Sequence, residues 1–114
     1  MDENCIFCKI INKELPSTVL FEDSEALAFK DINPQAPAHV VIVPKKHYSD
    51  LFEVAEGDGI VAHLHFIAAK LARDLALSDT GFRLVMNCGE DGGQSVGHLH
   101  FHLLGGRSLG WPPG

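Results

Sequence analysis

The sequence predicts an α+β fold in which an antiparallel sheet of about five strands carries one long helix and a short N-terminal helix. Three observations point there. Strand-like runs outnumber helical ones, one segment alone steps its apolar residues by three and four, and neighbouring strands lie close enough in sequence to pair as hairpins.

The elements follow in chain order. Asn4 is a candidate cap for a first helix from Cys5 to about Ile11, with Pro16 as its stop. Val19 to Glu22 and Ala26 to Asp31 read as short strands around the polar turn Asp23-Ser24-Glu25. The prolines of Asp31-Ile32-Asn33-Pro34-Gln35-Ala36-Pro37 remove donors and disfavour helix before them, so this is a loop. His39-Val40-Val41-Ile42-Val43 is a buried strand ended by Pro44. A long helix begins near Asp58 or Gly59, its stripe made by Ile60, Leu64, Ile67, Leu71 and Leu75. Phe82 to Asn87 alternates as a strand, Cys88 to Gln94 is a glycine-rich loop, and Val96 to Leu104 is the last strand.

At 114 residues the chain has the length of one domain, with an apolar fraction of 46% and a charged fraction of 21% that are ordinary for a globular protein. No apolar run is long enough for a membrane span. The acidic start Met1-Asp2-Glu3-Asn4 disfavours a secretory or mitochondrial leader, so the cytoplasm is the expected compartment. Fifteen acidic against 9 basic side chains give a net charge of −6, which argues against nucleic acid as a partner. The cluster Lys45-Lys46-His47 is too short to track a phosphate backbone. Small phosphorylated ligands stay open, because a few backbone amides can hold one phosphate.

The sharpest feature is His98-Leu99-His100-Phe101-His102-Leu103-Leu104. On a strand, side chains alternate, so the three histidines share one face while Leu99, Phe101 and Leu103 face the core under the helix. His98 and His102 would then stand roughly 13 Å apart, too far for all three to hold one ion. A solvated polar face is the bland alternative, but three chance histidines at this period are rare. A reactive row is the better reading. Neutral imidazole is nucleophilic near pH 7 and can attack phosphorus to give a covalent phosphohistidine that water opens. A neighbouring histidine can offset charge on the non-bridging oxygens. The loop Gly89 to Ser95 fits beside it, since glycines let backbone N–H groups approach a phosphate and Ser95 adds a hydroxyl.

With these residues in view, the chain resembles the histidine triad (HIT) superfamily over nearly its full length, as one HIT domain spanning residues 1–114. Asp31 to His39, Pro44-Lys45-Lys46-His47, Gly92-Gly93-Gln94-Ser95-Val96, Gly105-Gly106-Arg107 and the ending Trp111-Pro112-Pro113-Gly114 are similar to the Hint branch. The resemblance implies a HIT-like fold and a homodimer that hydrolyses purine nucleoside 5′-phosphoramidates through a nucleotidyl-histidine intermediate. It implies His100 as the nucleophile, with His102 and His39 assisting. It also implies Asp31 on the ribose hydroxyls, a base wall of Phe7, Ile10, Phe29 and Ile32, and phosphate or leaving-group contacts from Asn87, Gly93 and Ser95. Trp111 would border the leaving group in the partner subunit's pocket. Gly97, often an aromatic position, and Gly110 depart from the pattern and bear on leaving-group preference.

Phe7, Ile10, Phe29 and Ile32 have a plain reading as core, and Asp31 as a loop starter. His63 and His65 lie on the helix, face apart and read as structural. Cys5-Ile6-Phe7-Cys8 puts two thiols on one face of a helical turn, able to share a zinc, with buried free thiols as the alternative. Some histidine triad relatives look as though they complete such a site with the equivalents of His47 and His98. The expectation is therefore a structural zinc and no cofactor needed for catalysis. Cys88 reads as a buried loop thiol. Two other functions compete: a dinucleoside polyphosphate hydrolase of the Fhit type, which the Gly-Gly-Arg and Trp-Pro-Pro-Gly motifs oppose, and a nucleotide-binding regulatory module, which the intact His100 opposes.

Overall fold

The structure is a computed structural model and describes residues 3–114, so Met1 and Asp2 of the acidic start lie outside the described residues. Five strands, β1 (Val19–Glu22), β2 (Ala26–Lys30), β3 (Ala38–Pro44), β4 (Phe82–Val85) and β5 (Phe101–Gly105), form one sheet in the order β1-β2-β3-β5-β4. Every pair is antiparallel, as predicted. Asp23 makes the first hairpin by accepting from the Glu25 and Ala26 amides, both at 2.8 Å.

Helix α1 (Ile6–Ile11) and helix α2 (Ile60–Asp74) cover opposite faces. Ala26, Ala28, Val40, Ile42, Phe101 and Leu103 pack with Ile60, Leu64, Ile67 and Leu71 of α2. Leu27, Phe29, Val41 and Val43 pack with Phe7, Cys8 and Ile11 of α1. Central strands covered on both sides need no polar face, which is why 40–43 is unbroken apolar sequence. Leu64 is fully buried, and its truncation to Ala should cost about 2–5 kcal/mol.

Several boundaries differ from expectation. Cys5, not Asn4, caps α1: its Sγ accepts from the Cys8 amide at 3.3 Å. The helix ends at Asn12 and the left-handed Lys13 (φ 66°), before Pro16 is reached. Asp31 lies outside β2, and Leu75 is the C-cap of α2 rather than part of it. β4 stops at Val85, because Asn87 turns to bond the Gly92 carbonyl at 2.6 Å. The largest difference is β5, which begins only at Phe101. The His98 amide folds back to Val96 at 2.8 Å, and the Leu99 amide goes to Tyr48 at 2.7 Å, so this stretch leaves the ladder. His98 and His100 therefore do not sit on a regular strand face. Leu99, Phe101 and Leu103 nonetheless join the core beneath α2. Cys88 is half-buried rather than buried.

Candidate active site and metal centre

Beside α1, between the start of β3 and the approach to β5, lies a cavity of about 660 Å³. Phe7 and Ile10 from α1, Phe29 from β2 and Val41 from β3 make its apolar side. Asp31, His39, Ser95, His100 and His102 supply the polar groups, and Ile32, 96% exposed, stands at the mouth. A concave, mostly apolar site with a few converging polar groups suits an aromatic ligand with a charged end. Asn87 and Gly93 do not line it. Asn87 braces the glycine-rich loop through Gly92, and Gly93 takes the left-handed conformation (φ 80°) that the loop requires.

The ring protons can be placed by their partners. His100 Nδ1 lies 2.6 Å from the His98 carbonyl, which can only accept, so Nδ1 carries the proton and Nε2 keeps its lone pair. The edge of Phe7 packs on the His100 ring at 5.0 Å and leaves it little freedom. His39 Nδ1 accepts from the Gln35 amide at 3.0 Å, so its proton is on Nε2. That Nε2 lies 2.9 Å from His102 Nδ1 and 3.3 Å from Asp31 Oδ2. His102 accepts at Nδ1 and must then carry its own proton on Nε2.

Burial pushes all three imidazoles below the usual histidine range. His102 falls to about 4, with His100 and His39 adding to the effect of burial. His100 is lowered by burial against its bond to the His98 carbonyl, and His39 by burial against the Asp31 carboxylate. At neutral pH the site holds one neutral imidazole with a ring lone pair available beside one neutral N–H donor. Asp31, His39 and His102 also have the composition of a metal site, with donor atoms within 4.8 Å. The Gln35 amide argues against one, since it occupies Nδ1 and forces the proton onto the nitrogen that would have to ligate.

A second cluster lies behind Phe7. Cys5 Sγ is 3.3 Å from His98 Nδ1, and Cys8 Sγ is 3.3 Å from His47 Nδ1 and 3.5 Å from His98 Nδ1. The two Nδ1 atoms are 3.1 Å apart. Ligands of a tetrahedral zinc at ordinary bond lengths are separated by about 3.3–3.8 Å, so the four atoms already stand near the corners such an ion needs. His98 is fully buried and gives its Nε2 proton to the Pro44 carbonyl at 2.9 Å, aiming the Nδ1 lone pair into the cluster. Burial pushes the Cys5 thiol up, so a thiolate there calls for a cation beside it. The residues fit zinc.

The remaining sites fall where local structure puts them. His63 Nε2 pairs with Asp23 at 2.7 Å, and His65 bonds the Val61 carbonyl at 2.8 Å with its ring on Phe101. Trp111 is 84% exposed and does not line its own chain's cavity. Two residues escaped the sequence reading: Gln35, whose amide sets the His39 tautomer, and Tyr48, whose carbonyl pulls Leu99 out of the strand. Main-chain partners leave no mark in side-chain chemistry.

A fold and site of this kind define a histidine-lined pocket on an α+β sheet, and comparison with known proteins places the chain in a family. The family model described as HIT domain matches residues 12–109. The chain belongs to the HIT domain family. It is 49% identical over 117 residues to a 14 kDa zinc-binding protein of Zea mays, covering 99% of this chain and 90% of that one. The crystal structure of a HIT family hydrolase from Legionella pneumophila superposes with a TM-score of 0.95 at 52% identity, covering 97% of this chain and all of that one. A histidine triad nucleotide-binding protein from Candida albicans superposes with a TM-score of 0.84 at 36% identity, covering 96% of this chain and 83% of that one.

Proposed function

We propose that the chain is a hydrolase of the Hint branch that cleaves purine nucleoside 5′-phosphoramidates, with residues 1–114 acting as one HIT domain. The observation that carries this is the His100 tautomer: Nδ1–H is given to the His98 carbonyl, so Nε2 is a free lone pair in a cavity that suits a nucleotide. Likeness to the Legionella hydrolase and the Candida nucleotide-binding protein supports the class.

In this reading the base lies against Phe7, Ile10, Phe29 and Ile32, and Asp31 takes the ribose hydroxyls. His100 Nε2 attacks phosphorus and forms an N–P bond while the P–N bond to the amine breaks. The departing amine takes a proton from water through the Ser95 hydroxyl on the cavity's rim. His102 Nε2–H, held by His39, donates to a non-bridging oxygen as charge grows there. Water then attacks phosphorus, passes its proton back through Ser95 to the hydroxide left by the first step, and returns the bonding pair to His100 Nε2, releasing the nucleoside monophosphate. Zinc on Cys5, Cys8, His47 and His98 would tie α1 to the chain before His100 and take no part in the bond changes.

The same reading makes the protein a cytoplasmic homodimer. Among the described residues no helix is long and apolar enough to cross a membrane. β4 leaves one edge of the sheet unpaired with Phe82 half-exposed, and Trp111 is bared on a tail pinned by Arg83 to the Gly110 carbonyl at 2.6 Å. A dimer by sedimentation at micromolar concentration is expected, and a monomer there refutes this part. Turnover of adenosine phosphoramidates should far exceed that of diadenosine polyphosphates. The reverse preference would favour the Fhit-type reading.

A further inference from the structure

The motif Gly105-Gly106-Arg107 has no task in the scheme above. Its geometry supplies one. A side chain at Gly105 would meet Leu77 Cδ1 at 2.7 Å, and one at Gly106, which has a φ of 90°, would meet Pro37 Cβ at 2.9 Å. At Gly106 the chain leaving β5 therefore runs close over Pro37, in the segment entering β3, at a left-handed φ and an approach that a Cβ would block, while Gly105 packs against the Leu77 side chain beyond α2. Arg107 is thereby laid on Gln35: its Nε and Nη2 donate to the Gln35 carbonyl at 3.1 and 3.0 Å, while Nη1 donates to Ser108 at 2.9 Å. The Gln35 side chain is tied as well, to the Asn33 carbonyl at 3.0 Å.

Gln35 is thus held on its carbonyl side by Arg107 and uses its amide side to hold His39 Nδ1. A main-chain N–H cannot change its protonation. While it faces His39 Nδ1, the His39 proton stays on Nε2, and the His102 proton stays on the ring nitrogen turned away from His39. We infer that Arg107 is a positioning residue for the His39–His102 pair, acting through the backbone of Gln35 to present His102 Nε2–H to the phosphoryl oxygens. The forked guanidinium suits the task because two bonds from one planar group fix the direction of the carbonyl as well as its distance.

The kinetic half of this inference rests on the proposed hydrolase activity; the structural half does not. The test compares Arg107→Ala and Arg107→Lys with the parent by imidazole nitrogen NMR and by steady-state kinetics on an adenosine phosphoramidate. The parent should show His102 protonated on Nε2 alone. In Arg107→Ala both His102 tautomers should appear, and kcat should fall on the order of tenfold to a hundredfold with KM within about twofold. Arg107→Lys keeps the charge and one donor and should fall between; if the alanine variant does not fold, the lysine variant carries the same readings. A single Nε2–H tautomer in the variant, whatever the loss of melting temperature, overturns the inference and leaves Arg107 a tail anchor. A tautomer shift with undiminished turnover overturns the part of the inference that gives His102 Nε2–H to the phosphoryl oxygens, whereas a parent that holds the single tautomer yet turns over no phosphoramidate counts against the hydrolase reading and leaves the positioning of the pair upheld.

Discussion

His98 and His100 stand two residues apart, and the structure commits opposite ring nitrogens of the two to main-chain carbonyls. His98 gives its Nε2 proton to the Pro44 carbonyl and turns Nδ1 toward two thiols and a second imidazole. His100 gives its Nδ1 proton to the His98 carbonyl and keeps Nε2 for the cavity. Both are buried and both are pushed toward the neutral form by burial. Residue type and burial thus do not separate the proposed zinc ligand from the proposed nucleophile. The main-chain acceptor that takes the other ring proton does.

Removal of the proposed nucleophile should have the largest effect. His100→Asn should lower phosphoramidate turnover by at least about a thousandfold, the usual scale for losing a covalent catalyst, while the circular dichroism spectrum stays that of the parent. Near-parental hydrolysis would dissolve the distinction between the two clusters. Breaking the other side should have a different signature. The purified parent should contain about one zinc per chain, as a four-ligand structural site holds one ion. Cys8→Ser should lose that metal and lower the melting temperature by roughly 10 °C or more, where 1 kcal/mol moves a domain of this size by about 4 °C. Metal-free parent protein, or a Cys8→Ser variant that keeps both metal and melting temperature, would leave four donors at tetrahedral spacing without a ligand.

A smaller effect follows from burying His102 neutral. Its folded pKa of about 4 lies below the unfolded value of about 6.5, so the unfolded chain binds the extra proton first as pH falls. The stability it contributes is complete above the unfolded value and is lost as pH drops toward the folded one. His102→Gln should therefore lose less melting temperature than the parent between those pH values, by about 5 °C. Equal acid sensitivity would mean that His102 is not held neutral.

Much of this arrangement was legible in the chain. The 40–43 run and the stripe from Ile60 to Leu71 placed the sheet and its helix, because burial on one or two faces writes itself as period. Cys5 and Cys8 announced a shared face, and the alternating histidines announced the residues that the cavity and the second cluster divide between them. The break before β5 was hidden, because 98–102 alternates as well as any strand. What ends the pairing is tertiary: the Leu99 amide goes to the Tyr48 carbonyl, reached only when the loop after β3 folds against this segment. The cap was misplaced for a related reason. Asn is the better cap by propensity, but the Cys5 sulfur is already held where the Cys8 amide needs an acceptor. Gln35 was invisible because it acts through its amide, a group present in every residue but proline.

In the proposed reaction His100 Nε2, and no other nitrogen of the two clusters, bonds to phosphorus. Rapid acid-free quenching of the parent with an adenosine phosphoramidate, followed by peptide mass spectrometry, tests it most directly. The expected result is a transient nucleotidyl adduct confined to the peptide carrying 98–102, localised to His100 by fragmentation and absent from His100→Asn. An adduct on His98 or His102, or turnover through no adduct at all, would contradict it.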